Sequence, residues 1–247
     1  MQNKRYLGGI FHKMNKLIQK IIPLYGILPL LCAFGLNMIV YSGAMSICAG
    51  WKHYDLTTSL DRMVPLVPWW MYIYFGCYLF WIANYIMVAR IHEGDPSQFY
   101  RFVTTDMMSR LVCGLFFFLM PTTNVRPEVV GTTFADDLLR FLYQIDQPAN
   151  LFPSIHCLVS WMCYIGIRGN KKVPAWYRGF SCIFALLVVI STQTTKQHYI
   201  ADAVGGLLIA EILFALNKRI NAYRYVQRFF DRIHLKLGFI SKEKTIE

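Results

Sequence analysis

Hydrophobic residues in this chain form long runs that are separated by short polar segments. A run of about 20 apolar residues is long enough to cross a bilayer as an α-helix. The pattern predicts an all-α, polytopic membrane bundle with about six transmembrane helices, of which the third and fourth are the weakest. The predicted spans cover residues 23–48, 66–90, 104–121, 154–168, 176–194 and 199–217.

The composition agrees with a membrane environment. Hydrophobic residues make up 55% of the chain and charged residues only 16%, whereas about a quarter of a soluble protein is charged. No Gly/Ser-rich or Pro-rich linker divides the 247 residues, so we interpret residues 1–247 as a single membrane-embedded domain. The seven cysteines lie in or beside apolar segments without ligand spacing, and we interpret them as packing residues rather than disulfide partners or zinc ligands.

Positive charge is concentrated at particular points of the chain. The formal net charge is +11, but Lys and Arg cluster in the tails 1–22 and 218–247, near Arg90 and Arg101, and in the loop 168–178. Short basic loops of membrane proteins stay in the cytoplasm. We therefore predict a multi-pass cell-membrane protein with both termini cytoplasmic, the other three loops facing outward, and no nucleic-acid partner.

Both tails are amphipathic. Apolar residues recur at intervals of three or four positions with cations between them, which is typical of helices that lie along an anionic membrane surface. A helical extension of the adjoining span is the alternative. The apolar positions are Ile10, Met14, Leu17, Ile21, Val226, Phe229, Ile233 and Leu237.

Two histidines stand at the predicted outward ends of spans. His156 follows Ser154 at the start of the fourth span, and His198 precedes the sixth span with Asp202 four residues later. Positions i and i+4 share a helix face, so the carboxylate can accept a hydrogen bond from one ring nitrogen of His198 and leave the other nitrogen free as a nucleophile. Taken alone, the pair could also be an interfacial histidine capped by a local carboxylate.

His156 favours a catalytic interpretation because it places a second histidine at the same membrane level. A protonated His156 could donate to a leaving oxygen while His198 attacks phosphorus. The amides of the helix that starts at Ser154 favour a bound anion. Arg126 and Lys196 could supply charge for phosphoryl oxygens, although Arg126 alone could equally be a solvated loop charge.

These segments resemble the signature of the type 2 phosphatidic acid phosphatase superfamily, whose motifs are KxxxxxxRP, PSGH and SRxxxxxHxxxD. Residues 153–156 match the second motif at three of four positions. Ser191, His198 and Asp202 match the third motif in spacing, and Arg126 with the proline after it matches the end of the first.

The resemblance implies a metal-independent enzyme that needs no cofactor and acts on a membrane lipid. It assigns to His198 the role of a nucleophile that forms a phosphohistidine. Asp202 would support that histidine, and His156 would protonate the leaving group. Four residues are predicted to bind the substrate: Arg126, Ser154, Ser191 and Lys196.

Three positions depart from the family motifs. Leu119 stands at the Lys position, Ile155 at the Gly position and Thr192 at the Arg position, although Lys196 could partly replace the missing Arg as a point charge. These departures resemble the branch that contains inositol phosphorylceramide synthases and sphingomyelin synthases, which transfer a phosphoryl headgroup between lipids.

Three functions follow from these observations as hypotheses. The leading one is a lipid-phosphate phosphatase that acts at the extracytoplasmic face on a phospholipid or polyprenyl phosphate. The second is a phosphotransferase that moves a phosphoryl headgroup between lipids. The third is a non-catalytic lipid transporter, and the oligomeric state is not predicted.

Two charged residues lie inside predicted spans. At 1.5 Å per residue, Arg110 and Glu211 come out at a similar depth, roughly 17 to 20 Å below the outer rim. We therefore predict that they form a buried ion pair. Gly205 and Gly206, on the sixth span, are predicted to allow a close approach of another helix.

Overall fold

The computed structural model describes residues 18–237, and helices dominate this part of the chain. A 3₁₀ turn at Pro68–Trp70 precedes the second long helix, and the strands Tyr54–Asp55 (β1) and Thr122–Thr123 (β2) form a short parallel pair. The principal helices are Leu24–Ile47 (α1), Ser59–Met63 (α2), Met71–Ile91 (α3), Ser97–Leu119 (α4), Phe134–Ile145 (α5), Ile155–Ile167 (α6), Ala175–Thr194 (α7), Ile200–Ile220 (α8) and Tyr223–Lys236 (α9).

Five of the described helices are long and apolar enough to cross a membrane, namely α1, α3 with its preceding turn, α4, α7 and α8. The fourth predicted span, α6, has only 13 residues and is therefore about 20 Å long. The third span extends further than predicted, because the polar residues before position 104 continue the helix from Ser97. The predicted all-α membrane bundle is confirmed, with a short central helix among its six apolar segments.

Successive long helices alternate in direction, so the connecting segments gather at two ends of the bundle. We call the end that contains residues 48–67, 120–154 and 195–199 the histidine end. The opposite end, with residues 92–96, 168–174 and α9, is the basic end. Which side of a membrane each end faces stays a prediction from the Lys and Arg distribution.

The short helix α6 occupies the centre of the bundle. It packs against α3, α7 and α8, and its buried residues share a core with α4. By contrast, α1 packs mainly against α4 and makes little contact with α3. A cleft therefore runs between α1 and α3.

The long loop between α4 and α6 contains an amphipathic helix. Its start is capped reciprocally: Thr133 Oγ1 accepts from the Asp136 amide at 3.4 Å, and Asp136 Oδ2 accepts from the Thr133 amide at 2.8 Å. The apolar face of α5, with Leu139 and Leu142, packs against the start of α3 around Tyr74. This helix closes the histidine end over α3.

The predicted amphipathic C-tail forms α9. Tyr223 and Phe230 are buried, and the Phe230 ring stacks on Tyr100 of α4 with the centroids 6.3 Å apart. Neither of these buried residues was on the predicted apolar face, whereas Phe229 and Leu237, which were, are more than half exposed. The predicted position along the inner leaflet is not tested, and most of the predicted N-tail helix lies outside the described residues.

Gly205 and Gly206 lie where α8 approaches the start of α6 most closely. A Cβ atom on Gly206 would lie 2.5 Å from the carbonyl oxygen of Ser154 and 3.2 Å from the amide nitrogen of Leu158. A Cβ atom on Gly205 would lie 2.6 Å from the ring of Phe152. The predicted close approach is therefore confirmed, and it holds α8 against the segment that carries His156.

Gly206→Ala is expected to destabilise the protein by about 1–3 kcal/mol, because the methyl group collides with backbone that cannot rotate away. Activity should fall as well, since α6 and α8 carry the two histidines. Thermal unfolding in detergent measures the first effect. The matched control is Gly35→Ala on α1, where a Cβ atom meets nothing within 4 Å; equal stability of the two variants would contradict the close packing.

The predicted ion pair between Arg110 and Glu211 is wrong. Arg110 Nη2 lies 2.6 Å from Oδ1 of Asp106, one turn earlier on α4. Glu211 accepts hydrogen bonds from both terminal nitrogens of Arg168 at 2.5 and 2.9 Å, and from Trp161 Nε1 at 2.8 Å. Because α6 ends after 13 residues, Arg168 comes within the bundle at the level of Glu211.

Arg168→Glu or Glu211→Arg is expected to lower the unfolding temperature, and the exchanged double variant should recover part of the loss. The two parallel hydrogen bonds make this pair geometrically specific, so we expect a coupling free energy of about 1 kcal/mol in a double-mutant cycle. Thermal unfolding of the four proteins in detergent measures it. Additive losses in the double variant would show that the pair is not coupled.

Candidate active site

The two predicted histidines lie next to each other. His156 is the second residue of α6, whose start is capped by Ser154 Oγ, which accepts from the Cys157 amide at 3.2 Å. His198 lies two residues before α8. Its Nε2 atom is 3.4 Å from Nδ1 of His156. Residues that are 42 positions apart therefore share one site.

Asp202 joins the two halves of this site. Its Oδ2 atom lies 3.6 Å from Nδ1 of His198 and accepts a hydrogen bond from the Tyr199 amide at 2.8 Å. Its carbonyl oxygen accepts from the Ser154 amide at 2.9 Å. The carboxylate thus faces one ring nitrogen of His198 while the other ring nitrogen points to His156. At 3.6 Å the predicted hydrogen bond from His198 to the carboxylate is not formed, and Nδ1 has no hydrogen-bond partner among the described residues.

An aromatic wall from α3 surrounds His156. The hydroxyl groups of Tyr74 and Tyr78 lie 2.9 and 3.4 Å from Nε2 of His156, and the Trp81 ring centroid is 5.5 Å from the imidazole. These contacts engage Nε2, so His156 presents Nδ1 to His198. Sequence reasoning missed this wall, although the spacing of four and three residues places the three aromatics on one helix face.

A large apolar cavity opens from the histidines. It has a volume of about 740 Å³ and continues along the cleft between α1 and α3 as far as Ile18 and Ile22, near the basic end. Phe34 of α1 and Ile82 of α3 both line it and are 66% and 59% exposed. The cavity is therefore open sideways, where lipid chains surround a membrane protein.

The comparisons with known proteins identify the family. The sequence profile of the type 2 phosphatidic acid phosphatase (PAP2) superfamily matches residues 50–216. The chain belongs to the PAP2 superfamily. Neither a curated protein nor a solved structure matches the chain. The matched region covers the three segments that resemble the family motifs but excludes α1, which forms one wall of the cavity.

The structure shows where the three residues that depart from the PAP2 motifs lie. Leu119, at the Lys position, is 71% exposed at the end of α4. Thr192, at the Arg position, is fully buried and its hydroxyl donates to the Val189 carbonyl at 2.8 Å. Neither position can offer a cation to a phosphate. Ile155, at the Gly position, lines the cavity beside His156.

Lys196 does not take the place of the missing PAP2 arginine. Its ammonium group donates to the carbonyl oxygens of Asp61 and Val64 at 2.9 and 2.5 Å, and the side chain is absent from the described cavity lining. Burial lowers the pKa of Lys196, while the Asp61 carboxylate acts in the opposite direction. The contact ties the loop before α8 to the loop after α2.

The other predicted binding residues lie behind the cavity wall. Arg126 donates to Gln197 Oε1 at 2.9 Å, lies 3.9 Å from Asp146 Oδ2 and packs over the Tyr143 ring at 4.8 Å. Ser191 is buried and donates to a carbonyl one turn earlier. Arg126 is therefore absent from the described cavity lining but contacts two residues that line it, Gln197 and Asp146, and Ser191 holds the end of α7.

Two amides that sequence reasoning missed do line the cavity beside the histidines. Asn150 is 2% exposed and Gln197 1% exposed. Both side-chain atoms of the Asn150 amide and Nε2 of Gln197 are buried without a hydrogen-bond partner in the described part of the chain. Because buried polar groups are normally paired, these amides are available to hydrogen-bond a polar group in the cavity.

Proposed function

We propose that this protein is a lipid-phosphate phosphatase that works through a phosphohistidine on His198. The observation that carries the proposal is the connection between the histidines and the cavity. A reactive polar site beside His156 and His198 opens directly into a long apolar cavity that is accessible from the side. This combination suits a molecule with a phosphate at one end and a hydrocarbon chain at the other.

The proposed reaction has two steps. Nε2 of His198 attacks phosphorus, the bond from phosphorus to the alcohol oxygen breaks, and His156 gives its proton to that oxygen. Asp202 stabilises the His198 imidazole through Nδ1. In the second step a water molecule gives a proton to His156 and attacks phosphorus, so the phosphorus–nitrogen bond breaks and inorganic phosphate leaves.

We infer that neutral amides bind the phosphoryl oxygens. Asn150 and Gln197 line the cavity with unpartnered amide groups, and Arg126 polarises Gln197 from behind. Donors that are fixed before the reaction stabilise charge that develops on the phosphoryl group. Ser154 contributes through its place at the start of α6, where the helix dipole favours an anion.

A phosphotransferase is the second candidate, and the shortage of cations favours it. Arg126 is close to Asp146, and Leu119 and Thr192 replace the two motif cations. A phosphodiester carries less charge than a phosphomonoester and needs less compensation. In that reaction the hydroxyl group of a second lipid replaces water in the second step.

Purified protein in lipid vesicles distinguishes the two reactions. Supplied with a lipid phosphate and no second substrate, a phosphatase releases inorganic phosphate. Supplied with a phosphodiester lipid and an acceptor lipid, a phosphotransferase forms a new phospholipid without releasing phosphate. The absence of both products from all lipids offered would contradict the proposed function.

We also propose that the histidine end faces outward. Lys and Arg gather at the basic end, which favours the cytoplasm for that end. In a variant without the native cysteines, a cysteine at the exposed position Val130 should react with a membrane-impermeant thiol reagent on intact cells. A cysteine at Lys172, in the basic-end loop, should react only after the membrane is opened, and the reverse pattern would overturn the orientation.

A further inference from the structure

A polar cluster formed by residues of α3 and α4 lies in the wall of the otherwise apolar cavity. Asp106 Oδ1 accepts a hydrogen bond from Arg110 Nη2 at 2.6 Å and another from the Tyr85 hydroxyl at 2.7 Å. Arg110 and Asp106 are 3% and 2% exposed, and all three residues line the cavity. Charged groups at such depth are expensive to maintain, so they usually serve a function.

Arg110 has donors to spare. Its Nε and Nη1 atoms are buried and have no hydrogen-bond partner among the described residues. Leaving such donors unpaired costs about 1–3 kcal/mol each, and more for a charged group. Because the arginine lines the cavity, a hydrogen-bond acceptor on a cavity ligand would satisfy them.

The distance of this cluster from the histidines limits which part of a ligand it contacts. Tyr78 contacts His156, and Tyr85 lies seven residues further along α3, which corresponds to about 10 Å along the helix axis. The cluster therefore lies just beyond the site of the phosphate, on the path of the hydrocarbon chain. The long side chain of Arg110 can bring its guanidinium group closer to the histidines than this distance along the helix axis.

The charge of the cluster limits the type of acceptor. Asp106 compensates the charge of Arg110, so a second anion would find no net attraction. A neutral carbonyl oxygen fits, because it accepts hydrogen bonds and adds no charge. Ester or amide carbonyls lie five or six bonds from phosphorus in glycerophospholipids and sphingolipids, and the arginine side chain with its hydrogen bond can span the rest of the interval. A polyprenyl phosphate has only hydrocarbon in that part of the molecule.

We propose that the Tyr85–Asp106–Arg110 cluster binds the ester or amide carbonyl of an acyl-bearing phospholipid, which selects this class of substrate over polyprenyl phosphates. The proposal rests on the proposed function for its kinetic test. The contact lies away from the reacting atoms, so it acts equally on the bound substrate and the transition state. Its loss should therefore raise KM and leave kcat nearly unchanged.

The test compares three lipids with the full-length protein in mixed micelles: a diacyl phosphatidic acid, its ether-linked analogue without carbonyl groups, and a polyprenyl phosphate. We expect kcat/KM for phosphate release to be at least about 10-fold higher for the diacyl lipid than for either other lipid, which is the effect of one hydrogen bond to a charged donor. Equal rates for the diacyl and ether lipids, or a preference for the polyprenyl phosphate, would overturn the proposal.

A conservative variant assigns the preference to Arg110. Arg110→Lys keeps the positive charge beside Asp106 but removes the free donors of the guanidinium, so we expect the 10-fold preference to fall to within about 3-fold. The matched control is Arg168→Lys, which alters the ion pair between the end of α6 and Glu211 of α8; neither residue is in the described cavity lining. Retention of the full preference in Arg110→Lys would exclude the cluster as its source.

A binding measurement separates this inference from the proposed function. In the His198→Ala protein, tryptophan fluorescence should report binding of each lipid through Trp81, which lines the cavity. Tighter binding of the diacyl lipid than of its ether analogue would support the carbonyl contact even if no lipid were hydrolysed. Suppose instead that the wild-type protein releases phosphate from all three lipids at equal rates and that the His198→Ala protein binds them equally. The phosphatase function would then stand, and the carbonyl contact would be rejected.

Discussion

Replacing His198 with alanine is expected to lower kcat for phosphate release by at least about 10⁴-fold, because the variant has no nucleophile to form the phosphoenzyme. The imidazole faces both His156 and Asp202, and no other described side chain occupies that position. The wild-type protein, treated with a lipid labelled in its phosphate, should retain an acid-labile and alkali-stable label. The His198→Ala protein should retain none.

His53→Ala is the matched control for this experiment. His53 also lies at the histidine end, but its Nδ1 atom is 2.9 Å from the Trp51 carbonyl and the residue is not part of the described cavity lining. Its replacement should leave kcat within about 2-fold of the wild type, as a surface substitution does. A His198→Ala protein that releases phosphate at the wild-type rate would contradict the role of His198 as nucleophile. Lipid transport that persists in His198→Ala, with no phosphate release by the wild-type protein, would favour the lipid-transporter hypothesis.

The parts of the site that could be predicted from sequence depend on local spacing. His198 and Asp202 are only four residues apart around the start of α8, and Ser154 caps the helix that carries His156, so their positions follow from local backbone geometry. The apolar runs likewise predicted the spans, because hydrocarbon thickness fixes the length of a crossing helix. Such features need no knowledge of how the helices pack.

Packing decided the features that the sequence did not predict. Counting residues along each helix placed Arg110 and Glu211 at the same depth in the membrane. The count does not show which face of its helix each side chain lies on. Arg110 forms an ion pair with Asp106 on its own helix. Glu211 forms one with Arg168, which is close enough because α6 is short. Lys196 has a positive φ of 56°, and its side chain reaches residues about 130 positions away.

The cavity was equally inaccessible to sequence reasoning. It exists because α1 packs against α4 and makes little contact with α3, and no residue pattern in α1 indicates that arrangement. The family profile begins at residue 50 and gives no guidance on α1 either. The wall that would hold the lipid chain therefore comes from the part of the bundle outside the family match.

His156→Ala is expected to reduce phosphate release from a lipid phosphate by about 10² to 10⁴-fold, the usual contribution of a general acid. For the first step of the reaction, the reduction should nearly vanish with an aryl phosphate of similar size, because a phenolate leaves without a proton whereas an alkoxide does not. Single-turnover release of the alcohol or phenol by the wild-type, His156→Ala and His198→Ala proteins measures the difference, since it precedes the second step, in which His156 accepts a proton from water. His198→Ala should lose activity on both substrates alike, since nucleophilic attack is needed for either.

The contacts of His156 provide a graded version of the same experiment. Tyr74→Phe removes the hydroxyl group 2.9 Å from Nε2 but keeps the ring that packs at 4.8 Å from the imidazole. As a positioning residue, Tyr74 should affect the lipid phosphate more than the aryl phosphate, in the same direction as His156→Ala but by a smaller factor. If His156→Ala instead reduced the two substrates equally, His156 would act in phosphate binding or in maintaining the site, and proton donation would fall to another group.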